Sequence, residues 1–223
     1  MISPVNPPIK HAGPFRLGVL LSGRGSNFLA IQEAIESGQL PNTLISVVIS
    51  NHTEALGLQT AKEKQLPTAV FEKADYASRT ALDEGIADCL KAHQVDLVVL
   101  AGYDRIISAP ILAAFEQRIL NIHPSLLPAY GGKGMVGLKV HQAVLVNGER
   151  ESGCSVHLVT AQVDEGPILG QSRVPVLADD TPESLAARVL AQEHQLYPGV
   201  IRQYLQNHLN RKENQEAHDP VLQ

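Results

Sequence analysis

Several common routes to function are closed by what this sequence lacks. Its 223 residues include only two cysteines, Cys89 and Cys154. Both stand in apolar contexts without the spacing of a metal site or a disulfide framework, so they read as buried thiols in a reducing cytosol. No apolar run is long enough to cross a bilayer, and prolines in MISPVNPPIKHAGPF interrupt the apolar core that a signal peptide needs. Cationic charge is not in excess: 18 Lys+Arg face 23 Asp+Glu, a formal charge of -5, which argues against coating nucleic acid or an anionic membrane. G-x-S-x-G, G-x-G-x-x-G and the P-loop are missing, which disfavours a serine hydrolase, a dinucleotide enzyme and a nucleoside triphosphatase. No set of Cys, His or acidic residues has metal-ligand spacing, so a zinc hydrolase is disfavoured too.

What is present suits one well-buried domain, with 44% hydrophobic and 18% charged residues. It is expected over 16–207, between a proline-rich tail at 1–15 and a polar tail at 208–223, both read as mobile. Val/Ile/Leu-rich runs at 17–21, 44–50, 68–71, 95–101 and 119–122 alternate with helical patterns at 27–37, 54–64, 79–93 and 110–116. This is the pattern of an α/β fold, a mostly parallel sheet with helices on both faces. Runs at 155–160 and 168–176, joined by a short connection containing DEGP, predict antiparallel strands added near the C-terminus. A last helix opens with Thr181 as N-cap and Pro182 at its first position, and is expected to reach about Gln206.

The first strand runs into Ser22-Gly23-Arg24-Gly25-Ser26-Asn27 and then directly into a helix. Small residues let the backbone approach a ligand, and free N–H groups at a helix start favour a phosphate. Glycines at a plain strand-to-helix turn look the same, so the loop alone leaves both readings open.

The most informative segment is Leu120-Asn121-Ile122-His123-Pro124-Ser125-Leu126-Leu127-Pro128. Asn121 and His123 lie on one face of a strand end, where an open α/β sheet collects ligands. An amide and an imidazole suit acyl-type transfer between nitrogens: the amide donates to the developing oxyanion, and the imidazole donates and passes a proton. A nearby carboxylate would raise the pKa of that imidazole, and Asp164 is the candidate. Taken singly, Asp164 reads as a turn residue and His123 as a packed strand-end histidine. His93, His141 and His194 fall on predicted helices or their ends, where solvent-facing or capping roles are commoner. His157, inside an apolar strand, suits either a supporting or a core role.

SGRGSN, AGYDRI, LNIHPSLLP, SVHLVTAQVDEGP and AQEHQLYP, in this order over about 17–205, resemble the phosphoribosylglycinamide formyltransferase family. The resemblance implies a Rossmann-like domain transferring formyl from 10-formyltetrahydrofolate to the glycinamide amine of a ribonucleotide in purine synthesis. It implies Asn121, His123 and Asp164 as catalytic residues. Gly25, Ser26 and Asn27 match the phosphate loop, and Glu193 a residue near the other end of that substrate. Arg79, Asp104, Arg105, Ile106 and Ile107, with Asn121, match the folate side, the 160–164 loop closing over the pterin. Asp104 stands where the family more often has an apolar residue, and the glycine-rich stretch at 130–137 is longer than its commoner form. That stretch reads as flexible, a lid or a surface excursion, and Lys133 as no ligand.

A formyltetrahydrofolate hydrolase shares this chemistry but passes formyl to water; its extra N-terminal domain has no room before the first strand. Methionyl-tRNA formyltransferase adds a basic C-terminal domain, against the mixed-charge end here. A non-catalytic phosphoribosyl or folate binding module needs no His between an amide and a carboxylate. The expectation is a metal-free cytoplasmic enzyme of small molecules, monomer or homodimer, without nucleic-acid or membrane partners.

Overall fold

The structure, a computed structural model, describes residues 13–216, with side chains described to 207. Among the described residues seven strands form one sheet. In chain order the elements are β1 (Phe15–Leu21), α1 (Ser26–Glu36), β2 (Thr43–Ser50), α2 (Leu56–Glu63), β3 (Thr68–Val70), α3 (Arg79–Ala92) and β4 (Leu97–Leu100). There follow α4 (Ala109–Ala114), β5 (Ile119–His123), α5 (Leu138–Val146), β6 (Glu151–Leu158), β7 (Ile168–Pro175) and α6 (Pro182–Glu216).

The sheet order is β3-β2-β1-β4-β5-β6-β7, parallel from β3 to β5 and antiparallel where β6 and β7 join. The expected mostly parallel sheet with an antiparallel addition is therefore observed. Strand order reverses between β1 and β4, and in such sheets the cleft opens beyond the carboxyl ends of those strands. β1 and β4 are buried almost throughout, as a strand covered on both faces must be, and this explains their continuous apolar runs. One apolar cluster joins the sheet to α1, α2, α5 and α6, and the other joins it to α3 and α4.

Two helices differ from expectation. No bounds are anticipated for a helix around His141: α5 follows Gly137, which caps no N–H with a side chain, so the usual start signal is missing. The last helix opens as expected, with Thr181 Oγ1 accepting from Ser184 N–H (3.2 Å). It then runs past Gln206, taking in 208–216 of the polar stretch. The tails expected at 1–12 and 217–223 lie outside the described residues. No helix of the described residues is long and apolar enough to cross a membrane.

α6 is bound to the centre of the sheet by Tyr197, whose ring is fully buried. Its hydroxyl lies 3.2 Å from the Leu100 carbonyl and 3.0 Å from that of Leu120, at the adjacent ends of β4 and β5. Removing that donor from a dry site costs roughly 1–3 kcal/mol. Tyr197→Phe is expected to lose stability in that range in urea unfolding, and an unchanged midpoint contradicts this anchoring.

Candidate functional site

The turn after β1 is shaped by two glycines. Gly25 precedes α1 with φ 73°, a left-handed backbone that favours glycine, and α1 has no side-chain cap. A Cβ on Gly25 would lie 2.7 Å from Gly57 Cα, and one on Gly57 2.9 Å from Gly25 Cα. Gly57 N–H donates to the Gly23 carbonyl (3.0 Å), so the start of α2 holds this loop by backbone contact. Asn27 is buried, and its amide nitrogen donates to Glu193 Oε2 on α6 (2.7 Å). The two residues expected at opposite ends of one substrate are thus joined directly. Burial raises the Glu193 pKa, a rise the Asn27 bond opposes. Ser26 and the backbone N–H groups of the first turn are left to meet an anion; Arg24 is exposed.

The loops beyond β1, β2 and β4 are tied by Asp104. Its Oδ1 accepts from Asn51 Nδ2 (2.8 Å) and Ser22 Oγ (3.0 Å), its Oδ2 faces His52 Nε2 (3.2 Å), and its N–H donates to Ser22 Oγ (2.9 Å). Burial alone would raise this carboxyl, but the bonds from Asn51, His52 and Ser22 hold it below the usual carboxylate range. This carboxylate is occupied with loop structure. Arg79, at the start of α3, donates to the Ile106 carbonyl and approaches Asp83 (3.7 Å). Ile107 packs in the core, Ile106 is exposed and Arg105 partly so, which leaves the backbone of 105–107 and the side chains of 105 and 106 facing outward.

At the end of β5 the antiparallel register pairs Asn121 with His157 and His123 with Ser155. His157 Nδ1 meets the Leu158 carbonyl (2.9 Å), which only accepts, so Nδ1 carries the proton and Nε2 takes a hydrogen bond from Asn121 Nδ2 (3.0 Å). One amide hydrogen of Asn121 is thereby committed and the other left over. His157, for which the sequence leaves two roles open, is part of the site. His123 is 5% exposed, and its Nε2 donates to the Tyr130 carbonyl (2.8 Å). Its Nδ1 stands 3.6 Å from Asp164 Oδ2, while Asp164 Oδ1 stands 3.5 Å from His157 Nε2.

Asp164 therefore lies between two imidazoles, held also by the Gly132 N–H (2.9 Å). Burial would raise its carboxyl, but His157, Gly132 and the imidazole charges hold it below the usual range. For His123 the expected rise is not the net result. Burial lowers its pKa by more than the Tyr130 carbonyl and Asp164 raise it. Because Nε2 is tied to a carbonyl, the nitrogen that gains and loses a proton is Nδ1, the one facing Asp164.

The three residues expected to act together are assembled, and Asn27, of the turn after β1, meets Glu193. The sequence gives no warning of the contributions from Tyr130 and Gly132, because each acts through its backbone. His93 caps α3, as expected, through Nδ1 and the Cys89 carbonyl (2.8 Å). His141 is buried on α5, contrary to a solvent-facing reading, with burial and then His123 pushing its pKa down.

The chain is similar to known proteins over most of its length. The family model described as "Formyl transferase" matches residues 15–201. Phosphoribosylglycinamide formyltransferase, chloroplastic, of Vigna unguiculata is 47% identical over 186 residues, 83% of this chain and 59% of that protein. The chloroplastic protein of that name from Arabidopsis thaliana is 44% identical over 83% of this chain and 64% of its own length, so the chain spans under two thirds of either plant relative. The Haemophilus influenzae phosphoribosylglycinamide formyltransferase is 41% identical over 89% of this chain and 91% of its own. The crystal structure of glycinamide ribonucleotide transformylase 1 from Symbiobacterium toebii superposes with a TM-score of 0.82 at 46% identity, covering 87% of this chain and 89% of that one.

In the free protein His123 is expected to titrate below the ordinary imidazole value, and Asp164→Asn to lower it further by removing a charge that favours imidazolium. Side-chain nitrogen NMR across a pH series checks both. A His123 pKa above the ordinary value, or one that rises in the variant, would contradict this account of the electrostatics.

Proposed function

The chain belongs to the formyl transferase family, and from that premise we propose that it moves the formyl group of 10-formyltetrahydrofolate to the glycinamide amine of 5-phosphoribosylglycinamide, in purine biosynthesis. The observation that carries this reading is the assembly of Asn121, His123 and Asp164 at the end of β5, with Asp164 between two imidazoles.

The acceptor nucleotide suits the α1 end of the cleft. Its phosphate would meet the N–H groups of Gly25, Ser26 and Asn27 and the Ser26 hydroxyl, where the helix dipole favours negative charge. Glu193 would face the ribose side. The folate co-substrate would lie along Arg79 and 104–107, touching chiefly backbone because Asp104 is tied to Ser22, Asn51 and His52. When bound it supplies a formyl carbon attached to nitrogen. The donor set fits such a group, since Asn121 keeps one amide hydrogen free of His157.

The chemistry then follows from the site. The acceptor amine attacks the formyl carbon, a C–N bond forms, and the carbonyl electrons move to oxygen. Asn121 donates its spare N–H to that oxygen, and protonated Nδ1 of His123 donates beside it. Asp164, ionised because its pKa is held down, orders the water that takes the proton lost by the amine. Nδ1 of His123 passes its proton toward the leaving nitrogen as the old C–N bond breaks. The 3.6 Å between His123 and Asp164 exceeds a hydrogen bond and leaves their facing atoms available to water or substrate.

The two cysteines are free, which supports action in a reducing compartment such as the cytoplasm. Small molecules are the proposed partners, with the chain acting as monomer or homodimer and without a bound metal.

Incubation with both substrates is expected to yield formylated ribonucleotide and tetrahydrofolate in equal amounts. Tetrahydrofolate release that needs no ribonucleotide would indicate the hydrolase instead, and binding of both without turnover a binding module. His123→Ala is expected to reduce turnover by about 10²-fold or more, the usual worth of an acid–base group, with ribonucleotide affinity within about threefold of wild type. Gly57→Ala, which forces Gly25 to move, is expected to weaken ribonucleotide binding by about tenfold while sparing kcat at saturation. Calorimetry and steady-state kinetics check both; near-normal turnover in the first or unchanged affinity in the second counts against the assigned roles.

A further inference from the structure

Tyr130 joins an unusual backbone conformation to a doubly anchored side chain. It is a non-glycine residue with φ 57°, in the left-handed region that L side chains rarely adopt. Its hydroxyl donates to Glu149 Oε1 (2.7 Å) and accepts from Asn147 Nδ2 (2.9 Å). Asn147 is the C-cap of α5 and Glu149 follows just beyond, so the phenol is fastened to the end of a helix. A cavity of about 380 Å³, lined by Tyr130 together with Leu126, Val144, Glu149 and Ser152, lies beside the residue. The ring packs against the hydrophobic core on one side, and beyond that contact its hydroxyl is fixed by the two hydrogen bonds.

The carbonyl of the same residue receives Nε2–H of His123 (2.8 Å), and two residues on, the Gly132 N–H holds Asp164 (2.9 Å). A left-handed residue aims its carbonyl differently from an extended one, so relaxation at Tyr130 would move the acceptor away from His123. Either ring nitrogen could then carry the proton of the neutral imidazole.

We propose that Tyr130 is a positioning residue for formyl transfer: its phenol, pinned by Asn147 and Glu149, holds the turn whose carbonyl keeps the His123 proton on Nε2 and leaves Nδ1 facing Asp164. Tyr130 touches no reacting atom in this account and acts through His123. The claim rests on the reading of His123 as the acid–base group. Charge reaches His123 from Asp164 in the loop after β6 and from His157 on β6, and His141 on α5 feels His123 in turn. Asp164 faces Nδ1 and draws a proton there, but at 3.6 Å it makes no hydrogen bond, whereas the Tyr130 carbonyl bonds Nε2 at 2.8 Å.

The test is Tyr130→Phe, which deletes only the hydroxyl. Side-chain nitrogen and carbon NMR of the free protein is expected to show His123 as the Nε2–H tautomer in wild type and as a mixture in the variant. Since the Tyr130 carbonyl favours the imidazolium, the variant's His123 should also titrate at lower pH, and the loss of kcat with rising pH should begin earlier. kcat is expected to fall by about tenfold, with KM for the ribonucleotide within about twofold. Glu149→Gln, which keeps an acceptor for the phenol, should behave as wild type. Asn147→Ala and Glu149→Ala should each shift the tautomer in the same direction as Tyr130→Phe, and they carry the test if that variant does not fold. A folded variant that loses thermal stability but keeps the wild-type tautomer and pH profile would overturn the proposal. If the wild-type protein transfers no formyl group, the functional reading fails, while the NMR comparison still decides whether Tyr130 orients His123.

Discussion

The antiparallel pairing of β5 with β6 is the constraint on which the site depends. A parallel sheet alone brings strand ends and helix starts to a cleft, as the turn between β1 and α1 shows. β4, the parallel neighbour of β5, sets only the apolar Leu100 beside Asn121. Reversing direction at β6 sets His157 across from Asn121 and returns the chain at Asp164 to the mouth of the cleft, between His157 and His123. One carboxylate then serves two imidazoles, and each imidazole has its other nitrogen fixed by a backbone carbonyl, Tyr130 for His123 and Leu158 for His157. Fixing both tautomers leaves only Nδ1 of His123 free to exchange a proton.

That arrangement has a cost visible in the electrostatics. Burial disfavours charge on His123 by more than Asp164 favours it, so the imidazole is neutral more of the time than an exposed one. Asp164 escapes the same penalty because the Gly132 N–H and the neighbouring imidazoles, when charged, favour its ionised form. The pair is therefore an ionised acid beside a mostly neutral base, a state in which a proton arriving on Nδ1 is readily passed on. Backbone groups stabilise it, and they do not themselves titrate.

The end of the cleft at α1 is shaped by closeness of main chains. Gly25 and Gly57 approach so nearly that either side chain would collide, which fixes where the first turn of α1 points its N–H groups. Asp104 performs a related task across the gap between β1 and β4, where its oxygens gather Ser22, Asn51 and His52. This carboxylate performs a structural duty that an apolar side chain could not.

Hydrophobic periodicity, the two strand runs near the C-terminus and Thr181-Pro182 were enough to read the sheet, its covering helices and the start of α6, because burial on two faces leaves a direct imprint on residue type. LNIHPSLLP and the acid after β6 were legible as a combination and through the family resemblance, since singly His123 reads as a packed strand-end histidine and Asp164 as a turn residue. The bounds of helix α5 were not, because Gly137 offers no capping side chain. Nor were the parts played by Tyr130, Gly132 and Gly57, which act through a carbonyl, an N–H and a missing Cβ. Residue type by itself determined which chemistry to propose for the chain and which strands are buried. Tertiary structure decided the proton's place on each imidazole and the net direction of the His123 shift, because both depend on which backbone groups and how much apolar surface long-range folding brings within a few ångströms.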